Sequence, residues 1–227
     1  MEADLWAWWL EALIVDHAEF VRANTSILSR PLVHEVKLHL AHEALPIWQR
    51  TEDELGKIGL PPPFWAFAWA GGQALARYIL DNPETVHDKR IIDIASGSGL
   101  VGIAAMMAGA ASVLAADIDA FSVAAIAVNV ELNQVRVDIT IDNLLAGPIA
   151  DVDVILVGDL FYEKAVATQC LNWLEQAQAK GIDVLIGDPG RSYLPKDRLI
   201  KVAEYSVPVS RDLEDAEIKH TAVWRLS

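Results

Sequence analysis

Between Arg90 and Asp188, short apolar segments alternate with longer segments of helical composition, and this constrains the fold more than any other feature of the chain. RIIDIA, SVLAAD, VDITID, DVDVILVGD and IDVLIGD have the length and β-branched content of strands, while LVGIAAMMAGA, AFSVAAIAVNVELNQ and KAVATQCLNWLEQAQAK read as helices. Strand and helix in turn build βαβ units, and a run of such units predicts an α/β protein with a parallel, doubly wound sheet. The end of the chain departs from the pattern. AEYSVPVS and EIKHTAVWRL are two strands joined by the charged stretch RDLEDAE with no helix between them, which predicts a seven-strand sheet whose last strand is antiparallel. Its 227 residues accommodate one such domain, expected over residues 61–227, with an N-terminal extension over residues 1–60. The extension reads as helical to about residue 45: Leu5, Trp8, Trp9, Ala12, Leu13 and Val15 recur at helical spacing, and Pro31 opens a second segment, PLVHEVKLHLAHEAL.

The balance of 18 basic against 32 acidic residues, a net charge of −14, argues against nucleic acid, whose phosphates need Lys and Arg, and suits a cationic partner. The apolar run from Leu5 to Val15 is broken by Glu11 and falls short of the ~20 residues a bilayer span needs. Its acidic flanks suit neither a signal peptide nor a membrane-surface helix, so the cytoplasm is the expected compartment. Cys170 is the single cysteine, which fits a reducing compartment and, within a helix, a buried inert thiol. His34, His39 and His42 lack a recognised ligand spacing, and no metal is expected.

The first strand of the alternation runs into a glycine loop: IIDIASGSGLVG contains G-x-G-x-x-G at Gly97, Gly99 and Gly102. Ligands of doubly wound sheets sit beyond the carboxyl ends of the strands, at the switch point beside this strand. A pyrophosphate would meet Asp93, four residues before the first glycine, as an opposing charge. The arrangement D-x-x-x-G-x-G instead resembles the first motif of class I S-adenosylmethionine (SAM) methyltransferases. That resemblance implies that Asp93, with Ser96, Gly97 and Gly99 of the loop, holds the amino-acid end of SAM, which carries an ammonium. Asp117 ends the next strand, where a carboxylate accepts ribose hydroxyls, a requirement NAD shares. Asn143 ends the third strand, either near the adenine or as a turn residue.

The fourth strand ends in DLFY, Asp159 to Tyr162, which resembles the D-x-x-Y signature of seven-strand protein lysine methyltransferases and lacks the prolines of the amide- and base-methylating enzymes. It implies Asp159 and Tyr162 as catalytic residues, with Asp159 positioning an ammonium and Phe161 and Tyr162 walling its channel. A structural alternative has Asp159 capping the helix after it. FVRANTSILSRPLVHEVKLHLA, PPPFWAFAWAGGQALARYILDNP, DLFYE and GDPGR together resemble the lysine methyltransferases of the electron transfer flavoprotein beta subunit, over most of the chain. By that resemblance Trp69 and Gln73 flank the cofactor, Gly71 and Gly72 allow close backbone approach, and Arg191 touches the substrate protein. Trp69 reads equally as a hydrophobic cap. The implied substrate is lysine on the flavoprotein beta subunit, with a ribosomal protein as the second candidate, and a monomer is expected. A small-molecule amine methyltransferase, a non-catalytic SAM-binding scaffold and an NAD oxidoreductase are the competing readings.

Overall fold

The computed structural model describes residues 17–41, 62–209 and 217–227. The Trp-rich run at residues 5–15, His42, most of the Thr51–Pro63 connection and nearly all of the RDLEDAE turn lie outside the described residues.

A seven-stranded sheet has the order β5-β4-β3-β6-β7-β9-β8. Its strands are β3 (Arg90–Ile94), β4 (Ser112–Ala116), β5 (Asp138–Thr140), β6 (Val154–Gly158), β7 (Asp183–Asp188), β8 (Leu199–Pro208) and β9 (Ile218–Leu226). The first five are mutually parallel, and β9 inserts antiparallel between β7 and β8. The alternation and the helix-free ending therefore produce the expected sheet. Because successive side chains point to opposite faces, Ile92 and Ile94 of β3 join one core, while Ile91 joins the other. The first core is closed by α4 (Lys164–Ala179). The second is closed by α1 (Ala70–Asp81) and α2 (Leu100–Met107). α3 (Ala120–Asn133) links β4 to β5. Cys170 is fully buried on α4, and burial pushes its thiol up to about 12, so the inert role holds. No helix among the described residues is long and apolar enough to cross a membrane.

The extension corrects one expectation. Residues 17–23 are helical, but β1 (Ser26–Arg30) and β2 (Val33–Leu40) then form an antiparallel hairpin where a second helix was expected. The reason lies in the period of VKLHL. Val36, Leu38 and Leu40 are buried while Lys37 and His39 face outward, an alternation of two that one helix face does not produce. The hairpin packs with Ala76 of α1 and Leu100, Ile103 and Ala104 of α2, so it belongs to the same body as the sheet. Asn129 and Asn133, one helical turn apart on α3, dress β2. Lys37 N–H donates to Asn133 Oδ1 (3.0 Å), Asn133 Nδ2 donates back to Lys37 O (2.6 Å), and His39 N–H donates to Asn129 Oδ1 (2.7 Å). Arg77 of α1 adds an ion pair to Glu35 at 2.7 Å.

Candidate active site

The carboxyl ends of β3, β4, β6 and β7 converge on the amino terminus of α1. The approach is close because glycines meet there: a Cβ on Gly71 would stand 2.2 Å from Gly187 O, and one on Gly187 would stand 2.1 Å from Gly71 O. Only hydrogen fits at either position. The cleft beside this contact is lined by Phe67, Ala68, Trp69, Gly72, Asp93, the loop from Ala95 to Ser98, and Gly158 with Asp159, among others, and encloses about 360 Å³ of empty space including its mouth.

The loop is shaped by two acids. Asp93 is 1% exposed, and its Oδ2 accepts from Ser96 Oγ at 2.5 Å and from Gly102 N–H at 3.0 Å. Burial pushes its carboxyl up to about 7, against the pull of both donors. Asp93 thus tethers the loop to the first turn of α2. Asp117 accepts Gly97 N–H on Oδ2 (2.9 Å) and Asp119 N–H on Oδ1 (3.0 Å), and burial raises its carboxyl too. A carboxylate offers about four lone-pair sites, so Asp117, with two backbone donors and the Ser122 hydroxyl beside it, keeps room for a further hydroxyl. Gly97 (φ +55°) and Gly99 (φ +81°) occupy the left-handed region, which favours glycine, and nothing lies within 4 Å of a Cβ placed on Gly97. Gln73 is 1% exposed; its Nε2 donates to Ala68 O at 2.7 Å, and its Oε1 has no partner.

Asp159 lies in the left-handed region at φ +55°, which turns its side chain back over the sheet edge, and it is 8% exposed. Its Oδ2 accepts Gly72 N–H at 3.1 Å, and its Oδ1 accepts Arg191 Nη2 at 2.8 Å and Nε at 3.1 Å. The carboxylate therefore caps α1 from a distance, where the helix dipole favours an anion, and Trp69 at the N-cap supplies no side-chain cap. α4 starts at Glu163 without Asp159, so the alternative in which Asp159 caps that helix does not hold. Burial raises its carboxyl to about 6, outweighing Arg191, while Asp188 pushes in the same direction as burial.

Two expected residues stand elsewhere. Phe161 is completely buried in the core that α4 closes and walls no channel: it follows Leu160 into the sheet–helix interface, while Tyr162 turns out and is 47% exposed. Asn143 is exposed at the head of the 3-10 turn Leu144–Ala146, outside the cleft. Arg191 faces inward on Asp159, with its guanidinium 5.7 Å from the Trp69 ring centroid. Phe64 joins Trp69 (5.9 Å) and Tyr162 (5.8 Å) in an aromatic rim.

Sequence reasoning missed Asn129, whose Nδ2 donates to Ser98 O at 2.8 Å and so ties the loop to β2. It also missed Asp188, 1% exposed, which accepts Gly190 and Arg191 N–H groups. A signal for Asp188 was present: β6 runs into Gly158-Asp159 as β7 ends in Gly187-Asp188, and Gly158 pairs with Gly187.

The sheet order with its antiparallel insertion, the acid-anchored glycine loop and the acid closing the next strand define a class I SAM-dependent methyltransferase. Residues 73–160 match the family model of the ribosomal protein L11 methyltransferase (PrmA). A Xenopus laevis electron transfer flavoprotein beta subunit lysine methyltransferase is 36% identical over 90% of this chain and 85% of its own length. The Homo sapiens protein of that name is 37% identical over 90% of this chain and 80% of its own. The chain belongs to the electron transfer flavoprotein beta subunit lysine methyltransferase family. A candidate RNA methyltransferase from Pyrococcus horikoshii shares the fold, with a TM-score of 0.51 at 14% identity over 69% of this chain and 82% of that one.

The cofactor is SAM, and the residues present fit it. The remaining acceptor capacity of Asp117, the open space over Gly97 and the unpartnered Oε1 of Gln73 offer a hydroxyl acceptor, room and a buried amide acceptor.

Proposed function

We propose that the protein transfers methyl groups from SAM to lysine side-chain amines of the electron transfer flavoprotein beta subunit. The observation that carries this reading is a buried carboxylate, Asp159, set with the Trp69 ring in the same cleft as the glycine loop. An anion beside an aromatic face is the chemistry that receives an ammonium. The name shared by relatives aligned over 90% of the chain supports the flavoprotein as the substrate.

When bound, SAM supplies an electrophilic methyl carbon on a sulfonium. The chain's residues divide the remaining work. Asp117 takes the ribose hydroxyls, the loop from Ser96 to Gly99 with Asp93 beneath it holds the amino-acid end, and Trp69 and Gln73 close the other side. Asp159 orients the incoming amine, and Tyr162 flanks the entrance. A lysine of pKa about 10.4 costs about 4.6 kcal/mol to deprotonate at pH 7. Asp159 stabilises the ammonium and so adds to that cost, which makes it a positioning group rather than a base. Holding two reactants in line can supply about 7–11 kcal/mol, enough to cover the proton. Orientation dominates.

The reading includes a monomer acting in the cytoplasm on a folded protein. The net charge of −14 supports a basic protein surface over nucleic acid as partner. More distant relatives support a second reading, a ribosomal protein: a Bacillus pumilus ribosomal protein L11 methyltransferase is 30% identical over 63% of this chain and 44% of its own length. Purified protein incubated with radiolabelled SAM and a bacterial extract decides between them. Label on lysine of the flavoprotein beta subunit is expected. Label on a ribosomal protein, or only in the small-molecule fraction, would move the substrate and leave the cofactor assignment standing.

A further inference from the structure

Asp159 and Asp188 close two adjacent strands in matched register. Gly158 pairs with Gly187, and Asp159 N–H donates to Gly187 O at 3.0 Å, so the two carboxyl-bearing residues follow side by side. They are 8% and 1% exposed. One residue serves both neighbours: Arg191 gives its guanidinium Nη2 and Nε to Asp159 Oδ1, while its backbone N–H, with that of Gly190, goes to Asp188 Oδ1. The second oxygen of Asp188 is buried and has no hydrogen-bond partner. The Lys196 ammonium also acts on Asp188, yet no hydrogen bond reaches Asp188 Oδ2, so one buried acceptor is left open.

The two groups that suit a substrate ammonium, Asp159 Oδ1 and the Trp69 face, are both taken by Arg191. A cation on an aromatic face beside a carboxylate is the arrangement a bound lysine would make. Arg191 is rooted on the Asp188 carboxylate through its own backbone, so a change of side-chain rotamer moves its guanidinium without moving the chain.

We propose that Arg191 is the displaceable occupant of the lysine seat, and that Asp188 is a second carboxylate of that seat, to which the guanidinium moves when the substrate ammonium takes Asp159. The entering ammonium then takes the place the guanidinium leaves on Asp159, and the move gives Asp188 Oδ2 its partner. No bond forms or breaks in the exchange. Arg191 and Asp188 act on the seat and are positioning residues. Their pairing also selects for a lysine delivered on a protein surface, whose neighbouring contacts supply the free energy needed to displace an ion pair that a free amine does not displace.

The inference rests on the lysine-methylation reading, and its test separates the two. Steady-state methylation of the purified flavoprotein beta subunit is measured at saturating SAM, well above the Asp159 pKa of about 6. Wild type is compared with Asp188→Asn, Arg191→Ala and the double variant, and S-adenosylhomocysteine affinity is followed by calorimetry throughout. Asn at position 188 keeps an oxygen for the Gly190 and Arg191 N–H groups, and unchanged product affinity reports an intact fold. Asp188→Asn strands the guanidinium on Asp159 and is expected to raise KM for the protein substrate about tenfold, the loss of one charge-assisted hydrogen bond. Arg191→Ala is expected to leave that KM equal or lower, and the double variant to resemble Arg191→Ala, because the seat is then already empty. A KM raised by Arg191→Ala, or additive effects in the double variant, would overturn the exchange. No lysine methylation by the wild type would defeat the parent reading instead.

Discussion

Asp159 shows how one residue is set by its surroundings. DLFY at the end of a strand marks the position, but the carboxyl's behaviour comes from burial, from Arg191 and from the α1 amides. Since burial raises it to about 6, a pH dependence follows. Attack by a neutral amine of pKa about 10.4 makes log kcat/KM rise by about one unit per pH unit through neutrality. Below about 6 Asp159 also takes up a proton, so the slope steepens to about two. A pH profile on the flavoprotein substrate checks this; a slope of one held down to pH ~5 would show that the ionised form is not needed. Legibility at this scale was uneven. Asp93, Gly97, Gly99 and Asp117 were readable because a loop at a strand end is local chemistry. Arg191 was marked by its place in GDPGR but not as inward-facing, since its partner is 32 residues away. Phe161 and Tyr162 are neighbours in sequence, and only the turn after β6 decides which is core and which is rim.

Among the elements, the hairpin is the piece whose role the sequence concealed. It was expected as helix because Pro31 reads as the opening of a helical segment, yet Val36, Leu38 and Leu40 need one flat face to bury. What it docks against explains why it sits there: Asn129 joins His39 of β2 to Ser98 of the cofactor loop within a single amide. Asn129→Ala leaves a buried carbonyl and an amide N–H unpaired, which costs ~2 kcal/mol and lowers Tm by about 4–8 °C in a chain of this size. SAM affinity is expected to fall several-fold with it, with faster hydrogen exchange at Ser98 and Gly99. Asn129→Asp keeps the His39 acceptor but sets a buried carboxylate oxygen against Ser98 O, so it should lose at least as much stability as Asn129→Ala and bind SAM as weakly. Calorimetry and hydrogen exchange on the pair check this; wild-type SAM affinity in Asn129→Ala would detach the hairpin from the loop.

For the whole molecule, charge governs the encounter. With a net charge of −14, association with a basic protein surface is steered over a Debye length of about 30 Å at 0.01 M salt and about 8 Å at 0.15 M. kcat/KM for the protein substrate is therefore expected to fall by a factor on the order of ten across that range, while KM for SAM moves little. Stopped-flow or initial-rate measurements against ionic strength check it, and a flat profile would place recognition in apolar contacts. The sequence alone determined the sheet, its parallel core and antiparallel end, the cofactor class and the carboxyl ends where the site lies. Each is written in local periodicity or in a loop a few residues long, where near neighbours dictate backbone conformation. The tertiary structure decided that Asp159 caps α1, that Arg191 pairs with Asp159, that Asp188 lies beside Asp159, and that the hairpin is strand and braces the loop. These are contacts between residues tens of positions apart, and only the packing of α1 onto the glycines of β6 and β7, and of β2 onto α3, brings them together.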